Sequence, residues 1–376
     1  MQFNIRELKD ITSKLNIAIE KSKINPKAGW IEFISNEDKL ELIVSNYDYY
    51  VAIKLNSNNS ISESIHATIS SDTFIPLISK LDSDIIDIKE SGNALVVSTE
   101  KSSYTFPMIK EMGKTKVLDK IPFNYNMGYI TNIKGEDLAS IAKSNTKGLL
   151  DSIFVKEIQQ YIYIDNIGAI TFTENIYINN FEKPYDVDFK FLLNCTQSKL
   201  LDIFNDIDFV SIYSNLDDYD SSYKISLVSN NITIIFKVAS KKITDKYPAI
   251  KLRDIAKNVS NTHIVLDKKV LDKALSRLMV FDKKFDITDL TYSKIVFGID
   301  SLKLVSIKSN NFEEIKYISS SNTFDREFII RFADLVKQLK AITSKEIDIS
   351  YGNQPALAIN GNVLQLIPEV KMIGTV

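Results

Sequence analysis

Few residues in this chain are equipped for covalent or metal chemistry. Its 376 residues include two histidines, His66 and His263, and one cysteine, Cys195. That is too few for a His/Cys metal centre unless distant carboxylates completed it. His66 stands in an alternating stretch and Cys195 on the apolar side of an expected helix, positions that suit packing. Ser140 and Lys143 have the Ser-x-x-Lys spacing of some acyl-transfer enzymes, but no Lys-Thr-Gly accompanies them. The run Asp217-Asp218-Tyr219-Asp220 lacks the central Gly and closing Glu of a calcium loop and is expected to be a solvated turn. Neither a phosphate-cradling Gly-rich loop nor Gly-x-Gly-x-x-Gly is present. The expectation is a non-enzymatic protein without cofactor or metal, whose chemistry is binding.

The charges point the same way. Lys and Arg number 46 against 48 Asp and Glu, a net charge of −2 and a pI near 5.9, so the chain as a whole is no electrostatic nucleic-acid binder. The averages hide segregation, because the expected helices are net basic and the strands and loops net acidic. Among the helical cations are Lys9, Lys14, Lys21, Lys23, Lys143, Lys147, Lys199, Lys273, Arg277, Lys337 and Lys340. Gathered on one side of a sheet, they would face phosphates and neutralise them without reading sequence. Trp30 and the many Tyr and Phe residues could stack on bases. Most lie in alternating strands, where core packing is the expected role.

The elements that must position these residues recur. Residues 326–370 read as a short strand, an amphipathic helix with Phe332, Leu335, Val336, Leu339 and Ile342 on one face, and three strands punctuated by Tyr351-Gly352-Asn353 and Asn360-Gly361-Asn362. The second of these is an Asn-Gly hairpin signal. Residues 65–108 repeat the same order, with Pro76 expected in the first helical turn, where a missing N–H costs least. Residues 186–238 repeat it again, with the helix expected over 192–204. Each copy is preceded by another helix-and-strand half, with helices over 6–23, 135–147 and 267–281.

The class is therefore α+β: three repeated domains at 1–119, 120–250 and 251–376, each with two helices packed on antiparallel sheets, six helices in all. No Gly/Ser-rich or Pro-rich linker separates them. No apolar run approaches a membrane span and the N-terminus has no signal-peptide core. A lone cysteine suits a reducing compartment, and a cytoplasmic protein is expected.

The repeat plan, three domains in this length, the stretch GWIEFISNEDKLELIVSNYD, the domain-two ending KYPAI and the closing ALAINGNVLQLIPEV together resemble the bacterial replicative sliding clamp, the β subunit of DNA polymerase III. The resemblance covers essentially the whole chain. It implies clamp-type domains forming a ring as a head-to-tail homodimer, helices lining a hole around double-stranded DNA, and the helical cations above facing that DNA. It also implies a hydrophobic cleft that takes short linear peptides from DNA polymerase and the clamp loader. On this chain the cleft would include Leu149, Gly168, Ala169, Ile170, Pro248, Leu252, Ile367 and Pro368. Where the family commonly has Thr-Asp-Gly-His-Arg-Leu, this chain reads Asn166-Ile167-Gly168-Ala169-Ile170-Thr171, and it extends past Pro368 to Val376. A divergent clamp serving a phage or mobile element fits these departures. A non-ring nucleic-acid-associated scaffold sharing the repeat is the alternative.

Overall fold

The computed structural model describes residues 1–20, 26–36, 38–58, 64–111, 114–115, 127–150, 157–173, 175–215, 223–259, 262–282, 292–307, 309–331, 335–336, 339, 342, 344–361 and 363–370. Within them one plan, strand–helix–three strands, recurs six times. The first copy is β1 (Gln2–Asn4), α1 (Ile5–Ala18), β2 (Trp30–Asn36), β3 (Lys39–Ser45) and β4 (Tyr49–Asn56). The second is β5 (His66–Ser70), α2 (Ser71–Lys80), β6 (Ile85–Ser91), β7 (Ala94–Ser98) and β8 (Ser103–Pro107), followed by the short β9 (Lys110–Glu111) and β10 (Lys114–Thr115). The third is β11 (Gly128–Lys134), α3 (Gly135–Leu150), β12 (Tyr161–Asp165), β13 (Gly168–Phe172) and β14 (Ile176–Asn180).

The fourth copy is β15 (Lys190–Asn194), α4 (Cys195–Lys199) running into a 3-10 turn (Leu200–Phe204), β16 (Phe209–Ser214), β17 (Lys224–Val228) and β18 (Ile232–Lys237). Two connecting helices follow, α5 (Lys241–Thr244) and α6 (Ala249–Asn258). The fifth copy is β19 (Thr262–Asp267), α7 (Lys268–Asp282), β20 (Tyr292–Phe297), β21 (Ser301–Ser306) and β22 (Phe312–Lys316), then β23 (Ser319–Ser321). The sixth is β24 (Arg326–Arg331), helical Leu335, Val336 and Leu339, β25 (Glu346–Tyr351), β26 (Ala356–Asn360) and β27 (Leu364–Pro368).

Sibling copies exchange their first strands. β1 pairs with β6 and β5 with β2; β11 pairs with β16 and β15 with β12; β19 pairs with β25 and β24 with β20, all antiparallel. The chain divides into two compact units, Met1–Ala139 with Lys199–Lys241, and Ser140–Ser198 with Lys242–Val376. The first holds the four-stranded sheet β1-β6-β7-β8 and the eight-stranded sheet β11-β16-β17-β18-β4-β3-β2-β5. The second holds the nine-stranded sheet β15-β12-β13-β14-β27-β26-β25-β19-β23 and the four-stranded sheet β22-β21-β20-β24.

Helices form where apolar residues recur at helical spacing and are capped. α1 buries Ile5, Leu8, Ile11 and Leu15, and Asn4 accepts the Arg6 N–H at its start. In the second unit Leu271, Leu275 and Leu278 of α7 pack into one core with Phe297, Phe328 and Tyr351. The Phe297 and Tyr351 rings stack at 4.1 Å, and the Tyr351 hydroxyl donates to the Phe324 carbonyl at 2.9 Å. Each such large apolar side chain contributes roughly 1.5–3 kcal/mol on burial.

Four expectations are corrected. Pro76 lies in the interior of α2, because the Ser70 hydroxyl caps the helix at Asp72 and starts it at Ser71. Pro76 has no N–H to donate to the carbonyl of Asp72, which is an exposed residue of the first turn. The helix expected from residue 192 starts at Cys195; Leu192 and Leu193 are buried strand residues, and reciprocal bonds between Asn194 and Gln197 set the start. Apolar alternation in the sequence predicts a strand over 152–157, but Glu157 opens a 3-10 turn and 152–156 lie outside the described residues. The stretch KYPAI runs into α6, which begins at Ala249 and is a helix beyond the six expected, with Ala249, Leu252 and Ala256 inward.

Candidate functional site

α5 and α6 lie over one face of the nine-stranded sheet and are fastened there by two side chains. Tyr247 is buried, stacked on Tyr163 at 5.1 Å and edge-on to Phe172 at 5.3 Å. Its hydroxyl donates to the Ile170 carbonyl at 2.9 Å. Burial pushes both phenols up, Tyr163 to about 12, with the neighbouring Asp165 carboxylate adding to the shift. The second fastener is Arg253, whose Nη1 and Nη2 donate to Asp165 Oδ2 and Oδ1 at 2.6 and 2.8 Å. The same Oδ1 accepts the Ile167 and Gly168 N–H groups at 2.9 and 3.1 Å and so shapes the β12–β13 turn. Gly168 has φ +155°, and a Cβ there would stand 2.1 Å from the Asn179 carbonyl oxygen. Only glycine fits.

Beside these fasteners a cavity of about 420 Å³ opens, with Tyr163, Tyr247, Pro248 and Ala249 as its apolar lining. The Lys190–Asp245 ion pair at 2.7 Å crosses one side, and Ile250, 79 % exposed, stands on the rim. An aromatic and aliphatic hollow with a charged edge suits an apolar side chain of an extended peptide.

The expected cleft residues meet this hollow only in part. Pro248 lines it and Leu252 lies one turn along α6. Gly168 and Ile170 lie beneath through the contacts above, but Ile170 is fully covered. Ala169 is fully buried on the opposite face of β13, the face against which the Asn145 side chain bonds Thr171. Ile367 points into the core with Leu271 and Leu275, and Leu149 is 5 % exposed on α3. Pro368 is exposed at the end of β27; β27 meets β14 at its Ile176 end, whereas Gly168 pairs with Asn180 at the other. Strand alternation sends these residues to two faces, so they do not form one continuous apolar surface.

The helical cations are also unequal. Lys143, Lys199 and Lys273 are exposed, and Lys9 and Lys147 partly so. Lys14 is committed to Asp10 and Asp206 at 3.0 and 2.9 Å, its side chain 13 % exposed, and Arg277 makes a two-pronged pair with Glu313 at 2.6 and 2.7 Å. Those two carry their own counter-charges. Lys21, Lys23, Lys337 and Lys340 lie outside the described residues.

One catalytic-looking set was not anticipated. His263, Asp348 and Ser350 stand together, with Asn360 bonding both Asp348 and Ser350. Ser350 Oγ and Asp348 Oδ2 meet the same ring nitrogen, Nδ1, at 3.0 and 3.2 Å. A relay needs the serine and the carboxylate on opposite nitrogens, so this set binds strands together. Ser140, the other candidate nucleophile, accepts a bond from Asn179 Nδ2 at 2.9 Å within a polar seam between α3 and the sheet.

No protein-family model matches the chain. A curated relative, the beta sliding clamp of Mycoplasma genitalium, is 24% identical over 396 residues, covering 98% of this chain and 97% of the relative. Among solved structures, the DNA polymerase III β subunit of Thermotoga maritima superposes with TM-score 0.78 at 15% identity, covering 99% of both chains. The β subunit from the DNA polymerase of Streptococcus pyogenes gives 0.75 at 17%, again over 99% of both. A Pseudomonas aeruginosa sliding clamp bound to griselimycin gives 0.75 at 12%, over 99% of both. From end to end this chain has the fold of the DNA polymerase III β subunits, the bacterial sliding clamps, and it is a divergent sequence relative of them.

Proposed function

We propose that this chain is a DNA sliding clamp, a non-enzymatic processivity factor of the cytoplasm. Three domains, 1–119, 120–250 and 251–376, join head to tail with those of a second copy in a ring around duplex DNA. Partner proteins, polymerase and clamp loader among them, are held through short peptides at the hollow beside Pro248.

The observation that carries this reading is a pair of unfinished sheets. The eight- and nine-stranded sheets each join two copies of the structural plan through their last strands, β18 to β4 and β14 to β27. The two four-stranded sheets end on the last strands of the remaining copies, β8 and β22, with no neighbour among the described residues. A β8 edge on one copy and a β22 edge on the next are what a closed dimer consumes.

A ring holds DNA by topology, so its phosphate contacts need only be weak. A net charge of −2 forbids a strong overall attraction. Exposed Lys143, Lys199 and Lys273 then supply local contacts, screened beyond about 8–10 Å at ordinary salt, that slide without register.

The test is retention. The protein is loaded by a clamp loader onto nicked circular duplex, which is then linearised. Retention on circles at high salt with loss on linearisation is expected. Equal, salt-sensitive retention on both forms would replace the ring with electrostatic binding. For the peptide site, griselimycin serves as probe: Pro248→Asp should weaken its binding at least tenfold, and unchanged affinity would remove the site from Pro248.

A further inference from the structure

The first strand of each copy has one edge inside its sheet and one outside it, and in most copies the chain itself covers the outer edge. The covering bond is the same each time. An N–H from the segment after the copy's last strand reaches the carbonyl of the third residue from the first strand's end. Asn58 donates to the Gln2 carbonyl of β1, Ile109 to that of Thr68 in β5, Ile318 to that of Val265 in β19 and Val370 to that of Ile329 in β24, all at 2.8 Å. On β19 the cover grows into a strand of its own, β23, with Ser321 opposite His263 and Ser319 opposite Val265.

The corresponding residues of the third and fourth copies are Asn132 in β11 and Leu192 in β15, and neither carbonyl receives such a bond among the described residues. Leu192 is fully buried, whereas Asn132 is exposed. After β14 the chain turns elsewhere: Phe181 donates to the Ile167 carbonyl and Tyr185 to that of Asn166, over the β12–β13 turn. β11 thus ends the eight-stranded sheet with an open edge. Gly135 donates to the Asp208 carbonyl, and bonded pairs alternate along an antiparallel ladder, so Ile133–Val210 and Thr131–Ile212 are the bonded pairs of β11 and β16. Asn132, between them, directs its N–H and C=O away from the sheet. That carbonyl meets the Thr131 hydroxyl at a long 3.4 Å, and the Asn132 side-chain oxygen accepts from the Ser211 hydroxyl at 2.8 Å. A bulge between Tyr129 and Thr131 confines the straight part of the edge to 131–134.

The end of this edge is acidic. Lys134, Glu136, Asp206, Asp208 and Phe209 line a hollow of about 350 Å³ there. Lys134 holds Glu136 at 3.2 Å and Lys14 holds Asp206 at 2.9 Å, while Asp208 is exposed and joins no ion pair among the described residues. The hollow is one positive charge short.

We propose that β11 accepts an extended segment of a partner protein as an added strand, and that this segment carries a lysine or arginine whose charge enters the hollow beside Asp208. Backbone bonds to Asn132 supply the attachment, and the cation supplies the selectivity. β23 on β19 is the same arrangement made within one chain. A second copy's β11 fits less well, because antiparallel pairing would set its uncharged Gly128, Tyr129 and Ile130 against the hollow. Neither the ring joint nor the hollow beside Pro248 uses this edge.

The probe is a short, blocked, fluorescently labelled peptide of alternating valine and arginine, with glutamate replacing arginine in its control. Anisotropy is expected to show saturable binding of the arginine peptide and at least tenfold weaker binding of the control. Asp208→Lys should weaken the arginine peptide at least tenfold. Asn132→Pro should do the same, since it removes the outward N–H and leaves the backbone bonds between β11 and β16 in place. In the unaltered protein the arginine peptide should slow amide exchange at Asn132 and leave Thr131 and Ile133, already bonded to β16, unchanged. No saturable binding, undiminished binding by Asn132→Pro, or unaltered exchange at Asn132 would overturn the proposal. A native mass that rises with concentration and falls back in Asn132→Pro would overturn it too, giving the edge to a second copy.

Discussion

Arg253 and Asp165, 88 residues apart in the chain, form a two-pronged ion pair with both side chains nearly buried, 13 % and 8 % exposed. One carboxylate thereby sets the β12–β13 turn and anchors α6, which carries Pro248 and Ile250. Removing one partner strands the other's charge away from water. Arg253→Met or Asp165→Asn should each cost about 3–5 kcal/mol, read from urea unfolding. The double substitution Asp165→Asn, Arg253→Met should cost less than the sum, since it leaves no stranded charge. Strict additivity would mean the pair does not couple the turn to the helix.

Gly168→Ala should loosen the same corner from the other side. A Cβ there cannot coexist with the Asn179 carbonyl oxygen 2.1 Å away, and the φ of +155° is itself unfavourable for alanine. A loss of about 1–3 kcal/mol is expected, with faster amide exchange at Ile167 and Gly168. Wild-type stability and exchange in the variant would show that the turn relaxes without penalty.

Much of this architecture is legible in the sequence, for particular reasons. Asn-Gly at Asn360-Gly361, alternation in Glu346–Tyr351 and the apolar stripe of α7 are local signals, so the repeat and its helices could be found. The exchange of first strands between sibling copies could not, because β5 choosing β2 is written in backbone hydrogen bonds that any side chains permit. α6 was hidden by Tyr247-Pro248, which reads as a boundary although proline also suits the start of a helix. Around the hollow beside α6, Pro248 and Gly168 stand out by type, but Tyr163, Lys190 and Asp245 do not. Nothing local says that three strand and loop residues share a hollow. Ile367 entered only through the family resemblance, and strand alternation turns its side chain into the core.

The Arg277–Glu313 pair should make stability respond to acid in a defined sense. The guanidinium holds the Glu313 carboxyl below its ordinary value through paired hydrogen bonds. A lowered folded value means the unfolded chain binds the proton first as pH falls. The pair's contribution is therefore present above the ordinary glutamate range and lost on going down through the folded value. Stability of wild type minus Glu313→Gln, measured by urea unfolding from pH 7 to pH 3, should be small and positive at pH 7 and shrink to zero at the acid end. A difference that grew on acidification would reverse the assignment.

The exposed helix lysines separate loading from holding. Lys143→Glu and Lys199→Glu remove positive charge from α3 and α4 without touching a core contact, since both side chains are exposed. Each phosphate contact removed should flatten the dependence of log affinity on log salt by about 0.9 for a protein bound electrostatically. A ring has a different signature. The double variant should load several-fold more slowly at low salt, because its first encounter with phosphates is weakened. Once loaded on an intact circle, it should remain for as long as wild type at high salt, because closure does the holding. Equal loading with faster loss from circles would mean that these lysines carry the hold, and that DNA is retained by charge alone.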